Sequence, residues 1–166
     1  FGYKEKCETP ERTHREIIET EIMLEIIAGE TSPLYSRLFN EGLINASFSK
    51  EYFVGYGYEA VIFEGESVNP QAVADAIQQE IARLKKEGID IELFETVRKN
   101  LYGREIMEYN DIDGIANSLI GCYFAGYELF EALDIYKSVS PADIEKRLSD
   151  MLEEKYSALS VVKSKD

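Results

Sequence analysis

Six segments of the chain repeat apolar residues at the three- and four-residue spacing of an amphipathic helix. In the first of them, Ile18, Ile22 and Ile26 recur every four residues and so share one helical face. Helix-start signals precede the segments: Thr9-Pro10, Ser32-Pro33, Asn69-Pro70, Asp90, Asn110-Asp111 and the capping box at 140–143, where Asp replaces the usual Glu. Gly29 and Gly42 mark the ends of the first two helices. The pattern predicts helices near 10–29, 33–42, 70–88, 91–109, 112–130 and 142–156.

Strand signals lie in four segments rich in aromatic and β-branched residues, 1–6, 44–48, 51–67 and 156–164. Gly55 and Gly57 inside the longest segment predict a bulge or a close approach of another backbone. The order is strand, two helices, two adjacent strands, four helices and a last strand. This order predicts an α+β fold, with a mainly antiparallel sheet and helices packed on one of its faces. We expect residues 1–166 to form a single domain.

Composition and charge narrow the class of protein. Hydrophobic residues make up 45% of the chain and charged residues 30%, as in a globular domain rather than a disordered one. The net charge of -14 argues against nucleic acid as a partner, because binding a phosphate backbone needs a basic face. No apolar run approaches the ~20 residues of a membrane-spanning helix, so we expect no membrane partner.

The chain begins with Phe1 instead of Met, which predicts a piece of a longer protein; N-terminal processing or trimming is the alternative. Neither a charged-then-apolar leader nor a Cys-x-x-Cys pair is present. Cys7 and Cys122 could form one long-range disulfide, but two free thiols in a reducing cytoplasm fit better. We therefore expect a cytoplasmic protein.

Candidate catalytic chemistry is sparse. His14 is the only histidine, and the residues three and four positions after it are Ile17 and Ile18, so no ligand shares its helical face. Glu21 is about 10 Å farther along the helix, too far to share an ion directly. A zinc site commonly draws three ligands from His, Glu, Asp or Cys, so we expect neither a metal site nor a catalytic residue here. Carboxylates in 89–95 and 107–113 could do acid–base work, but we interpret them as helix caps and ends.

Tyrosines form the last candidate site. Tyr52, Tyr56 and Tyr58 recur at every second or fourth position of the longest predicted strand, which predicts one shared face. A tyrosine stripe can bind peptide, since each ring combines apolar area with a polar tip. The alternative is a sheet face that contacts a neighbouring domain, and the two surfaces could be the same.

Two ordered stretches resemble one family. The sequence GETSPLYSRLFNEGLI at 29–44, an aromatic strand, and NPQAVADAIQQEIARLKKEGIDIELFETVRKNLYGREI at 69–106 are similar to the second half of insulinase-like (pitrilysin-type, inverzincin) zinc metallopeptidases. The resemblance implies two homologous α+β halves that close around a peptide. The zinc motif H-x-x-E-H belongs to the first half and is missing here, so zinc is expected in that other half, on the same or another chain.

The resemblance implies a non-catalytic, substrate-chamber half of a peptidase that degrades or processes peptides. The family places an Arg on the S-P-L-Y helix and a Tyr after the Gly-Leu pair to hold substrate. Here the Arg position falls on Leu38 or Phe39 and the Tyr position on Asn45, with Arg37 one step away. We therefore add Arg37 and Asn45 to the three tyrosines as candidate peptide-binding residues.

Two other functions remain open from the sequence. One is a proteolytically inactive peptide-binding or assembly module with the same fold; the other is a self-sufficient enzyme that uses carboxylates. An isolated half with an uncovered sheet face can also form a homodimer.

Overall fold

A four-stranded antiparallel sheet and seven α-helices make up the residues that the computed structural model describes, 1–5, 12–55 and 57–163. The strands are β1 (Gly2–Lys4), β2 (Ser49–Gly55), β3 (Tyr58–Glu64) and β4 (Ser157–Ala158), in the spatial order β2-β3-β1-β4. The helices are α1 (His14–Ala28), α2 (Pro33–Asn40), α3 (Pro70–Glu87), α4 (Ile91–Glu108), α5 (Ile112–Ala125), α6 (Glu131–Ser138) and α7 (Pro141–Asp150). The predicted α+β fold class is confirmed.

The two faces of the sheet differ in burial. Tyr3, Val61 and Tyr52 stand in register across three strands on the inner face, and the first two are buried with the side chains of α1 and α3. Lys4, Ala60 and Phe53 stand in register on the outer face, where Phe53 is exposed. The helices therefore cover one face of the sheet and leave the other open.

Helix α1 occupies the centre of the core. Thr13 caps it in a capping box with Glu16, and Gly29 follows its last turn as predicted. The predicted start at Pro10 lies outside the described residues, and the described helix begins at His14. Contacts with α7, α4, α6, α2 and α3 bury most of its apolar side chains. Caps at Ser32, Asn69, Asp90, Asp111 and Ser140 confirm the other predicted helix starts.

The predicted continuous strand over 51–67 is wrong. Most of this segment instead forms the β2–β3 hairpin. Gly55 pairs with Tyr58 next to its turn, and Gly57 adopts a φ of 77°, a backbone conformation that favours glycine. The predicted strand over 44–48 is also wrong, because the Asn45 side chain accepts the Ser47 backbone N–H at 2.8 Å and shapes a turn. Of the described residues of the predicted strand 156–164, which end at 163, only Ser157–Ala158 pair with the sheet.

The predicted helix over 112–130 ends earlier than expected, at Ala125. Gly126 adopts the left-handed conformation with φ 77° and ends α5 after Ala125, because a left-handed glycine stops the helical hydrogen-bond pattern. Helix α6, which the sequence did not predict, follows at Glu131–Ser138.

Candidate functional site

The two candidates near α2 lie in separate surroundings. Arg37 is exposed on α2, beside a shallow cleft that Glu80 and Arg83 of α3 also line. Asn45 lies in the loop before β2, where its Nδ2 donates to the Glu66 carboxylate at 2.9 Å. The Asn45 side chain is thus engaged at both its amide nitrogen and its oxygen.

The expectation that the tyrosines share a face is wrong for Tyr52 and Tyr58. Tyr58 pairs with Gly55, so it lies on the face of the odd-numbered β2 residues, whereas Tyr52 points to the inner face. The hydroxyl of Tyr52 donates to Glu59 at 2.6 Å beneath the helices, while Tyr58 is 58% exposed. Tyr56 lies outside the described residues. The reversal of the hairpin breaks the period-two pattern on which the expectation was based.

A buried charge network holds Tyr52 in place. Glu59 accepts from Arg12 Nη2 at 2.7 Å and from Arg12 Nε at 2.9 Å, and Arg12 also bonds Glu16 at 3.2 Å. Burial, and after it the hydrogen bond to Glu59, raises the pKa of the Tyr52 phenol above its usual range. Because its charges are paired with one another, the network joins the start of α1 to the sheet and offers no free group for chemistry.

The outer face of the sheet carries two exposed aromatic side chains, and the sequence pattern did not predict that these two share a face. Phe53 is 41% exposed and Tyr58 58% exposed, and both belong to the same face of the β2–β3 hairpin. Ala60 and Ile62 lie on the same face of β3, and both are half-buried. If the turn is placed at 56–57, strict alternation of side chains along each strand predicts that Phe53 lies on the outer face together with Tyr58.

A groove of about 520 Å³ lies at the end of β3. Phe1, Phe48, Phe63, Val73 and Ile77 form much of its wall, and the segment 159–163 borders it. Phe1 is fixed there because its amino group donates to the Phe63 carbonyl oxygen at 2.8 Å. The groove is lined mainly by apolar side chains and could take an apolar side chain of a peptide.

No group of three or more His, Cys, Asp or Glu side chains is placed to hold a metal ion among the described residues. His14 stacks on Tyr127 at 4.8 Å, and its Nδ1 lies 3.7 Å from the Glu131 carboxylate. Cys122 is a free thiol, and burial followed by the charge of Glu105 raises its pKa; Cys7 lies outside the described residues. These residues do not fit a zinc centre, which needs about three convergent ligands.

Carboxylates gather between α1 and the end of α4. Glu21 is exposed on the surface of α1, but the protein packed around it still removes part of the water near its carboxylate. This desolvation, followed by the charge of Glu105, raises the pKa of Glu21 to about 7. Tyr109 donates to Glu105 at 2.7 Å, and Glu108 and Glu25 add further negative charge near Glu21.

None of the helices in the described part of the chain combines the length and apolar character that crossing a membrane requires.

Comparison with known sequences finds one matching family. A family model described as the peptidase M16 inactive domain matches residues 7–101, more than half of the chain. The uncharacterized zinc protease YmfH of Bacillus subtilis is 24% identical over 149 residues, which are 87% of this chain and 35% of that protein. The chain thus spans about a third of the length of this relative.

Comparison with solved structures finds the same fold. An M16-like peptidase structure from Alicyclobacillus acidocaldarius matches with a TM-score of 0.84 and 25% identity, over 93% of this chain and 38% of that one. The inactive peptidase domain of a zinc protease from Bordetella parapertussis matches with a TM-score of 0.73 and 13% identity, over 93% of this chain and 85% of that one. The periplasmic protease PqqL of Escherichia coli matches with a TM-score of 0.68 and 11% identity, over 90% of this chain and 17% of that one. The last two likenesses concern the fold alone.

Proposed function

The chain belongs to the peptidase M16 family as an inactive domain, and we propose that it forms one wall of the chamber in which a zinc peptidase holds its peptide substrate. A homologous half, on the same or another chain, supplies the zinc and the catalytic groups. Residues 1–166 are then a single non-catalytic domain of that larger assembly, consistent with the chain's share of the length of its relatives.

The observation that carries this proposal is the contrast between the two faces of the sheet. Helices seal the inner face, whereas Phe53 and Tyr58 stand exposed on the outer one. Antiparallel sheets commonly leave one face to solvent with mostly polar side chains, and Lys4, Glu51 and Glu64 follow that pattern here, so the two aromatic rings are the departure from it. Exposed aromatic rings on an open sheet suit contact with the side chains and backbone of a bound peptide.

The candidate residues contribute in different ways under this proposal. Phe53 and Tyr58 contact peptide directly, and Tyr52 supports the sheet from beneath through its bond to Glu59. Asn45 lies before β2 and Tyr58 begins β3 across the turn, so they stand at opposite ends of a hairpin about 20 Å long. They would therefore contact different residues of an extended peptide. Arg37 on α2 supplies a cation for peptide carboxylates or carbonyl groups.

The test uses the full-length protein that contains residues 1–166. We expect it to bind zinc and to cleave quenched fluorescent peptides in a chelator-sensitive way, while the 166-residue chain alone does neither. Phe53→Ser with Tyr58→Ser should raise KM about tenfold through lost aromatic contact, with a smaller change in kcat. Ile91→Ser, a change at an apolar side chain on α4 that is 68% exposed, is the control. Unchanged KM in the double variant would remove the outer face from the chamber wall.

A proteolytically inactive peptide-binding or assembly module is the second candidate. It is favoured by the two positions at which the family resemblance places substrate-holding residues. The Arg position falls on Leu38, which is buried, or on Phe39, which is 48% exposed but carries no cation, and Asn45 is bonded to Glu66. Peptide binding by the full-length protein without zinc or cleavage would support this candidate over the first. The predicted cytoplasmic location stays a prediction, since the structural relative PqqL is periplasmic.

A further inference from the structure

Helix α5 is apolar, yet none of its residues is buried. Ile112, Tyr123 and Phe124 are each more than 80% exposed, and Leu119 and Ile120 are about half exposed. Together with Ala116 they recur at the spacing i, i+4, i+7, i+8, i+11 and i+12, which places them on one broad helical face. We call these six residues the α5 face. It extends about 18 Å along the helix, the length of a helix–helix contact.

The segment that contains the α5 face is rich in carboxylates, and basic residues flank it only at Arg104 and at Lys137, which pairs with Asp134. Residues 105–136 contain seven Asp and Glu residues and neither Lys nor Arg. Glu105 and Glu108 come from the end of α4, Asp111 and Asp113 from the start of α5, and Glu128 and Glu131 from the region between α5 and α6. An apolar face bordered by carboxylates is complementary to an apolar face bordered by cations.

Helix capping accounts for only part of this charge. Asp111 and Asp113 lie at the start of α5, where negative charge is favourable. Glu105 and Glu108, however, lie in the last turn of α4, which contains no basic residue, and there negative charge opposes the helix dipole. Repulsion from both of them also contributes to the raised pKa of Glu21. Glu105 accepts a hydrogen bond from Tyr109, whereas no hydrogen bond or ion pair within the described residues offsets the charge of Glu108 at the end of α4.

We propose that the α5 face binds an amphipathic helix of another protein segment, whose apolar side packs on α5 and whose Lys and Arg side chains meet the surrounding carboxylates. A second copy of this chain fits less well, since pairing two α5 faces would bring two sets of carboxylates together. An anionic membrane surface is disfavoured for the same reason. The proposal does not depend on the chamber function, because α5 is separate from the outer face of the sheet.

The test measures binding of a fluorescent designed peptide to the 166-residue chain by anisotropy. The probe is a helix of about 18 residues with Leu on one face and Lys on the other, and the matched peptide replaces Lys by Glu. We expect the Leu/Lys helix to bind about tenfold or more tightly than the Leu/Glu helix, with weaker binding as salt increases.

Two pairs of variants locate the site. Leu119→Ser with Tyr123→Ser should lower the affinity about tenfold or more, because both side chains lose apolar contact area. Glu108→Gln with Glu128→Gln should lower it about threefold and reduce its salt dependence. The matched controls are Ile91→Ser for the apolar pair and Glu41→Gln with Glu92→Gln for the charged pair; all three positions are exposed and lie outside the α5 face.

Three outcomes would overturn the proposal. Equal effects of site and control variants would mean that the probe responds to the net charge of -14 and not to the α5 face. A dimer in sedimentation velocity that Leu119→Ser with Tyr123→Ser dissociates would make the occupant a second copy. Binding to vesicles of anionic lipid, lost in the same double variant, would make the occupant a membrane. Circular dichroism of each variant confirms that the fold is retained.

Discussion

Helices α1 and α5 are both rich in apolar residues but have opposite positions in the molecule. In α1, nine residues from Ile18 to Ala28 are buried, and five other helices contact it. In α5, no residue is buried, and only Ile115, Ser118, Cys122 and Gly114 are partly covered. The apolar content of a helix therefore indicates that the helix needs cover, whereas only the tertiary structure shows whether this chain supplies it.

The polar residues of the two helices show the same difference. Glu19 on α1 is buried, and it meets Arg147 of α7 at 3.2 Å and Arg15 at 3.3 Å. The carboxylates around α5 face neither Lys nor Arg within residues 105–136. In the core, Glu19 and Glu59 are paired with arginines inside the chain, and Glu5 accepts the Leu152 backbone N–H, as burial requires. Within the described residues, Asp134 pairs with Lys137 at 3.2 Å and Glu131 lies 3.7 Å from His14, whereas Glu108 and Glu128 have no ion pair and are left for charge from outside the chain.

The largest expected effect comes from removing a core side chain of α1. Ile22 is fully buried, so Ile22→Ala should lower the free energy of unfolding by about 2–5 kcal/mol through lost burial and the cavity left behind. Urea denaturation followed by circular dichroism measures it. A loss below about 1 kcal/mol would show that α1 is not the centre of the core.

A smaller change in the free energy of unfolding is expected from the ionisation of Glu21, the carboxylate of α1 that faces the end of α4. Its pKa is raised in the folded state from near 4.5 to about 7, so its protonated form contributes stability below pH 4.5 that is lost as the pH rises through about 7. Because solvent reaches this side chain, the loss should be about 1 kcal/mol after allowance for screening.

The measurement compares Glu21→Gln with the parent chain in urea denaturation at pH 4.5 and pH 8. Relative to the parent, the variant should gain about 1 kcal/mol between these two values, because Gln does not ionise. Glu41→Gln, at the exposed end of α2, is the control and should show no such gain. A parallel pH profile for Glu21→Gln and the parent would contradict the raised pKa.

Reversing a charge at the end of α4 should stabilise the fold modestly, whereas Ile22→Ala destabilises it. Glu108→Lys should raise the free energy of unfolding by about 0.3–1 kcal/mol, because a cation suits the C-terminal end of a helix. The control, Glu92→Lys in the first turn of α4, should lower it by a similar amount. Thermal unfolding at low salt measures both. If Glu108→Lys stabilises the chain and also abolishes binding of the Leu/Lys helix, then the Glu108 carboxylate serves binding although it lowers the stability of the fold.

The smallest effect is expected on α5 itself. Leu119→Ala should change the free energy of unfolding of the 166-residue chain by about 0.5 kcal/mol or less, since the side chain is already half exposed. Urea denaturation beside Ile22→Ala gives the direct comparison. A loss above about 1.5 kcal/mol would mean that α5 is covered within this chain in solution, and the contrast between the two helices would not hold.

The sequence predicted several local features correctly because neighbouring residues decide them. The capping box of Ser140 with Asp143 and the caps at Asn69 and Asp90 follow from side chains that reach backbone groups two or three residues away. The α+β class followed from the order of these elements. The family resemblance followed from ordered motifs, and the family match over residues 7–101 confirms it.

The sequence failed where a chain reversal decides which residues meet. Gly55 and Gly57 indicated a bulge, but the second glycine forms a hairpin turn that places Tyr52 and Tyr58 on opposite faces. Gly126 ends α5 in the same way and lets α6 form as a separate helix. Glycine permits a left-handed backbone without requiring it, so the sequence alone does not choose between a bulge, a stop and a turn.

By itself, the sequence determined the starts of helices α2, α3, α4, α5 and α7, the α+β class and the family, and it contains one histidine, because composition and short-range hydrogen bonds decide these features. The tertiary structure decided that Tyr52 and Tyr58 lie on opposite faces of the hairpin, that Tyr52 is hydrogen-bonded to Glu59, and that Phe53 and the α5 face remain uncovered. Burial depends on contacts between residues far apart in the chain. An apolar residue reads the same in the sequence whether it lies in the core, as Ile22 does, or is more than 80% exposed, as Phe124 is.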